Sequence, residues 1–255
     1  MLVNRFSEAD LLLVLHTDHS RVAGWLMAWW GNADVPAPDP RLPLVLAAQE
    51  HDASWASWEM KPYTDLDGRP IDYLEGARYL GPTWIELCER AVAAVAERDA
   101  YAALLVSLHW ESILGRLADV WLPSTEAVLD GQRSYRAYLL DLLREEGVYV
   151  SEAALARNQE QLRRIDELAL FLTGRYPLDS RARGDGAPPL GLELEVRDGA
   201  HAVLRPYPFA VDPLEVTFPG RLVPDRPYAS QAEFLDEFYR ARPVTISYSL
   251  SSGID

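Results

Sequence analysis

Residues 16–32 read HTDHSRVAGWLMAWWGN, and their spacing defines a helix. Val22, Ala23, Leu26, Met27 and Trp30 recur every three or four positions, the period of an element with one apolar face. Thr17 or Asp18 supplies an N-terminal cap, and Gly31-Asn32 a stop. His19 shares the face of Val22, Ala23, Leu26 and Trp30, where a polar ring is costly to bury without a partner. His16, three residues earlier, is the alternative candidate, placed by the caps just outside the helix.

Upstream, Leu2-Val3 and Leu11 to Leu15 are short apolar runs joined by Asn4 to Asp10, a hairpin pattern that competes with a helix start at Ser7. The second run meets His16, Asp18 and His19, so it is too short and too polar for a membrane span or an export signal. An unexported, cytoplasmic protein is expected.

Downstream, Pro36, Pro38, Pro40 and Pro43 exclude helix, and Leu44, Val45, Ala47, Ala48 and Trp55 resume helical spacing. His51 and Asp52 lie near that apolar face. Side chains at i and i+1 of a helix diverge by about 100°, so joint action would need an ion in the cleft between them. Met60 to Tyr79 is a long connection of the kind that covers a site. Further helices read over Pro82–Glu97, about Ala100–Val120, Glu126–Glu146, and from a cap at Ser151 to about Thr173. His109 follows Tyr101, Leu104, Leu105 and Leu108 in a very apolar helix, and Asp166 sits with Leu155, Gln159, Leu162 and Ala169.

After Arg181 the texture changes to a Gly- and Pro-rich linker. Leu192 to Val196 alternates with period two, Asp198-Gly199 signals a hairpin, and His201–Arg205, Glu215–Phe218 and Val244–Leu250 read as strands around a helix at Gln231–Arg240. The expectation is a mainly α bundle over residues 1–180 with a β-rich extension over 188–255 packed on it, α+β overall.

The chain has 255 residues, 49% apolar and 25% charged, enough for a sizeable core. With 39 acidic against 24 basic residues its charge is −15, which disfavours nucleic acid as a partner; no membrane partner is expected either. Cys88 is the only cysteine and sits at buried-helix spacing, so any metal must use nitrogen and oxygen donors. His19, His51, Asp52, His109 and Asp166 form that donor set, suited to a divalent iron, manganese or zinc ion. For any one of them alone, a hydrogen-bonded core residue, a cap or a salt bridge is the competing account.

His19, then His51-Asp52, then a distant Asp166 resembles the signature of the HD-domain superfamily of metal-dependent hydrolases. That resemblance implies a helical bundle and a metal held by the first His, the His-Asp pair and the late Asp, with His109 where two-metal members place a further His. Over nearly the whole chain, Asp18-His19-Ser20, Trp30-Gly31-Asn32, Ala47 to Trp58, Gly68-Arg69-Pro70 and Tyr101 to His109 also resemble the domain-of-unknown-function family 3891.

These readings lead to hydrolysis of a small phosphoester. His109 acts as general acid, Asp52 belongs to the catalytic set, and Lys61, Arg69 and Trp55 are candidate substrate contacts, with Trp55, Trp58 and Glu59 walling a pocket. An HD-like iron oxygenase and a non-catalytic metal-binding or interaction protein are the alternatives.

Overall fold

The structure, a computed structural model, describes residues 1–73, 75, 82–117, 125–174 and 192–253. The chain opens with the hairpin β1 (Leu2–Arg5) and β2 (Asp10–Val14). Ser7 belongs to its turn, because its hydroxyl accepts from the Ala9 and Asp10 amides rather than starting a helix. Helices α1 (His16–Trp29), α2 (Arg41–Glu50) and α3 (Trp55–Glu59) follow, then α4 (Pro82–Ala96), α5 (Ala100–Leu117), α6 (Thr125–Glu145) and α7 (Glu152–Thr173). Strands β3 (Glu193–Val196), β4 (His201–Arg205) and β5 (Leu214–Pro224), helix α8 (Gln231–Arg240) and strand β6 (Arg242–Ser251) complete it.

The six strands form one mixed sheet in the order β1-β2-β5-β6-β4-β3, with β4 and β6 parallel and the other pairs antiparallel. This overturns the mainly α, HD-like bundle. Strands from both ends of the chain meet, Leu11 opposite Val223 and Leu13 opposite Arg221, so the architecture is α+β around a shared sheet. The apolar run at Leu11 to Val14 explains itself here. Leu12 and Val14 face the helical layer, while Leu11 and Leu13 join Val223, Phe234 and Phe238 under α8. A strand covered on both faces reads as continuous apolar sequence instead of alternating.

Two helix boundaries differ from the expected ones, and both bear on the site. Thr17 and Asp18 lie inside α1, whose N-cap Leu15 offers no side chain; the His16 amide instead donates to both oxygens of Glu59, at 3.1 and 2.9 Å. The helix expected to run from Leu44 through Trp55 stops at Glu50, a turn spans 51–54, and α3 begins at Trp55. Helix α7 keeps its cap, with the Ser151 hydroxyl accepting from the Ala154 amide.

The long connection is fastened where it is described. Gln231 of α8 donates to Pro62 O and accepts from the Thr64 amide, and Gly68, at φ 76, accepts from the Tyr228 amide. Residues 74 and 76–79 of this segment lie outside the described residues. No helix among the described residues is long and apolar enough to cross a membrane.

Helix α1 packs against α2, α7 and β5, and its crossing with α2 is close because Gly24 has no side chain. A Cβ there would stand 2.7 Å from Gln49 Cβ and 3.0 Å from Gln49 Cα. Gly24→Ala is therefore expected to force the two helices apart and to lower stability by about 1–3 kcal/mol, the usual cost of overpacking. Denaturant titration checks this, and an unchanged midpoint would show that the crossing tolerates a methyl group.

Candidate metal centre

His19 comes from the second turn of α1, His51 and Asp52 from the turn after α2, Asp166 from α7 and His109 from α5. The turn at 51–54 changes the geometry anticipated for the His51-Asp52 pair. Out of a continuous helix, both side chains reach one point: His51 Nε2 lies 3.5 Å from Asp52 Oδ2 and 3.3 Å from Asp166 Oδ1. His19 Nε2 lies 2.9 Å from Asp166 Oδ1 and 4.0 Å from Asp52 Oδ2. His109 Nε2 meets the other oxygen of Asp166, Oδ2, at 3.5 Å. The three imidazoles are fully enclosed, and the Asp52 and Asp166 side chains keep 9% and 12% exposure.

The donor spacing fits one ion. Ligands held about 2.0–2.2 Å from a metal stand roughly 3.0 Å apart at right angles and about 4.2 Å apart when opposite. The four His-to-carboxylate separations, His19 and His51 each to Asp52 and Asp166, run from 2.9 to 4.0 Å and fall within or near that window. One donor atom each from His19, His51 and Asp166 forms a group within 4.8 Å, with all three residues buried. The His51 and His19 rings are also held at their far nitrogens. His51 Nδ1 lies 2.8 Å from Ala48 O, and His19 Nδ1 lies 3.2 Å from Thr173 Oγ1.

The imidazoles and carboxylates set one another's charge. Burial would raise the Asp166 carboxyl, but hydrogen bonds from His19 and His51 and the charge on His51 and His109 hold it well below the ordinary range. Burial would lower His51, yet Asp52 and Asp166 beside it carry it up to about 9. The two carboxylates thus favour a proton on His51, which a divalent ion would displace. Behind the turn, burial and then the charge of Asp52 push the Cys88 thiol well above its usual value, which makes it an inert core residue.

The expected substrate contacts are Arg69, Lys61 and Trp55. Arg69 is bonded to Asp225 Oδ1 at 2.9 Å, a carboxylate it shares with Arg5; the Lys61 side chain is exposed; Trp55 is buried and stacks on His16 at 4.3 Å. Trp55, Trp58 and Glu59 do line a cavity, with Met1, Tyr63 and Asp72, but its volume of about 20 Å³ holds little more than a water. His16 is no alternative ligand here: its Nδ1 lies 2.6 Å from Glu59 Oε1. His201 is on the surface beside Asp198.

Sequence reasoning missed Thr173 and the capping role of Glu59. Thr173 stands seven residues after Asp166 on the same face of α7, a spacing that could have pointed to it. Nothing local signals that Glu59 caps a helix 43 residues earlier.

The family described as "Protein of unknown function (DUF3891)" matches residues 1–225. The chain belongs to that family. All five residues of the DUF3891 chain's cluster fall inside the match, while α8 and β6 lie beyond it. The chain matches no curated protein and no solved structure.

Proposed function

We propose that this DUF3891 chain is a metal-dependent hydrolase that holds one divalent cation on His19, His51, Asp52 and Asp166 and acts on a small phosphoester. The observation that carries the reading is the convergence of His19, His51 and Asp166, from three separate parts of the chain, within 4.8 Å of one another, with Asp52 Oδ2 3.5 Å from His51 Nε2 and 4.0 Å from His19 Nε2. The order of these ligands is that of the HD-type hydrolases, which supports the chemistry without the helical-bundle frame. A bound cation would lower the pKa of water and polarise a phosphoryl oxygen. Asp52 would be one of the ligands that place that water. His109, whose Nε2 lies 3.5 Å from Asp166 Oδ2, would donate the proton to the leaving oxygen.

Elemental analysis of protein purified without chelator should find about one iron, manganese or zinc ion per chain. Hydrolysis of a nitrophenyl phosphate monoester or diester should then stop on chelation. His109→Gln should keep the ion and lose about 100- to 10,000-fold in kcat, the usual contribution of a positioned acid. Stoichiometric metal with neither ester cleaved would reject the phosphoester reading, and bound iron whose optical spectrum changes with dioxygen would favour an oxygenase in its place.

A further inference from the structure

We infer that Thr173 is the positioning residue that fixes the tautomer of His19, so that Nε2 is the nitrogen presented to the ion; this rests on the one-ion reading above. An imidazole ligates only through a nitrogen that carries no hydrogen, so the partner of the opposite nitrogen decides which one is offered. The Thr173 hydroxyl has a single hydrogen, and it goes to Ala169 O at 2.7 Å. What the hydroxyl turns toward His19 Nδ1, 3.2 Å away, is therefore a lone pair. Nδ1 must supply the hydrogen of that contact. Nε2, on the far side of the ring and 2.9 Å from Asp166 Oδ1, is left as the position where a proton and a metal ion exchange.

The arrangement is anchored from the sheet. Asn4 of β1, itself buried, donates from Nδ2 to Thr173 O at 3.0 Å, so the edge strand fixes the last turn of α7 directly against His19. His51 has the equivalent support from Ala48 O, a backbone group that no substitution removes. Among the described residues, Thr173 is thus the side chain through which the orientation of a ligand imidazole can be tested without touching a ligand.

The probe is zinc alone. Competition titration with a chromogenic chelator should show Thr173→Val, equal in shape but lacking the hydroxyl, binding zinc about 10- to 100-fold more weakly than the wild type, the range usual for loss of an outer partner. Thr173→Ser should restore binding to near the wild-type value. Long-range proton–nitrogen correlation spectra of the zinc-loaded wild type should assign His19 as hydrogen-bearing at Nδ1 and ligating at Nε2, a signature that a purely structural role for Thr173 would not set. Thr173→Val binding zinc as tightly as the wild type overturns the inference and leaves the one-ion centre standing. His19 ligating through Nδ1 in the wild type overturns it even where the valine variant does not fold. Failure of the wild type to bind zinc, iron or manganese at all removes the centre itself.

Discussion

The Asp166→Asn protein loses its metal. Asp166 is the residue on which the cluster turns: Oδ1 lies 2.9 Å from His19 and 3.3 Å from His51, and Oδ2 lies 3.5 Å from His109. Asparagine keeps the volume and one acceptor but removes the charge that holds three buried imidazoles around a common point. Affinity is expected to fall by more than about 100-fold, beyond the range seen when only outer partners of a ligand are removed. Helical content should remain, because the change is nearly isosteric. Chelator competition on the two proteins, with circular dichroism as the control for folding, measures both quantities. Equal affinities would mean that Asp166 serves the fold and not an ion.

The largest effect on stability is expected at Glu59. Its carboxylate is 2.7 Å from the Met1 amine and 2.6 Å from His16 Nδ1, all three almost wholly buried, and it also accepts the first amide of α1. Removing one partner of a buried pair leaves the other charge without compensation, at a cost of about 3–5 kcal/mol. Glu59→Ala should accordingly melt roughly 10 °C lower, given the usual few degrees per kcal/mol for a chain of this size. It should also loosen the site, since Glu59 ties α3 and the ligand turn beside it to the helix that carries His19.

The same residue gives the fold a dependence on acid. Burial would raise the Glu59 carboxyl, but the Met1 amine and His16 override it and hold it at about 2 against an ordinary 4.5. A group depressed in the folded state stabilises fully above its unfolded value, and that contribution drains away as pH falls through the folded one. Here it amounts to about 3 kcal/mol, present above pH 4.5 and lost progressively from there down to about 2. Denaturant unfolding across this interval should show a shallower pH slope in Glu59→Gln than in the wild type. Superimposable slopes would contradict the assignment.

What could be read from the residues divides along the range of the interactions. Elements with clear boundaries were legible, α8 and β4 to the residue, because α8 buries one face behind the Ser230 cap and β4 follows the Asp198-Gly199 turn. The five residues of the centre were legible for the same reason, each being a costly polar group on an apolar stripe. The sheet was not, since nothing in Leu11 to Val14 names Arg221 to Pro224 as its neighbour, and that pairing is what replaces a helical bundle by an α+β fold. The break at His51 was hidden because Ala47, Ala48 and Trp55 keep helical spacing across it. The supports at Glu59 and Thr173 act on α1 from 43 and 154 residues away; only Thr173 had a local clue, its seven-residue spacing from Asp166 on α7.

The central claim is that four side chains share one ion, and anomalous diffraction from a crystal of protein purified without chelator tests it most directly. Data collected on either side of the absorption edge of the metal found by elemental analysis should give one peak about 2.0–2.2 Å from His19 Nε2, His51 Nε2 and Asp166 Oδ1, with Asp52 in reach. A map with no peak there, or a peak held by other residues, would contradict the account.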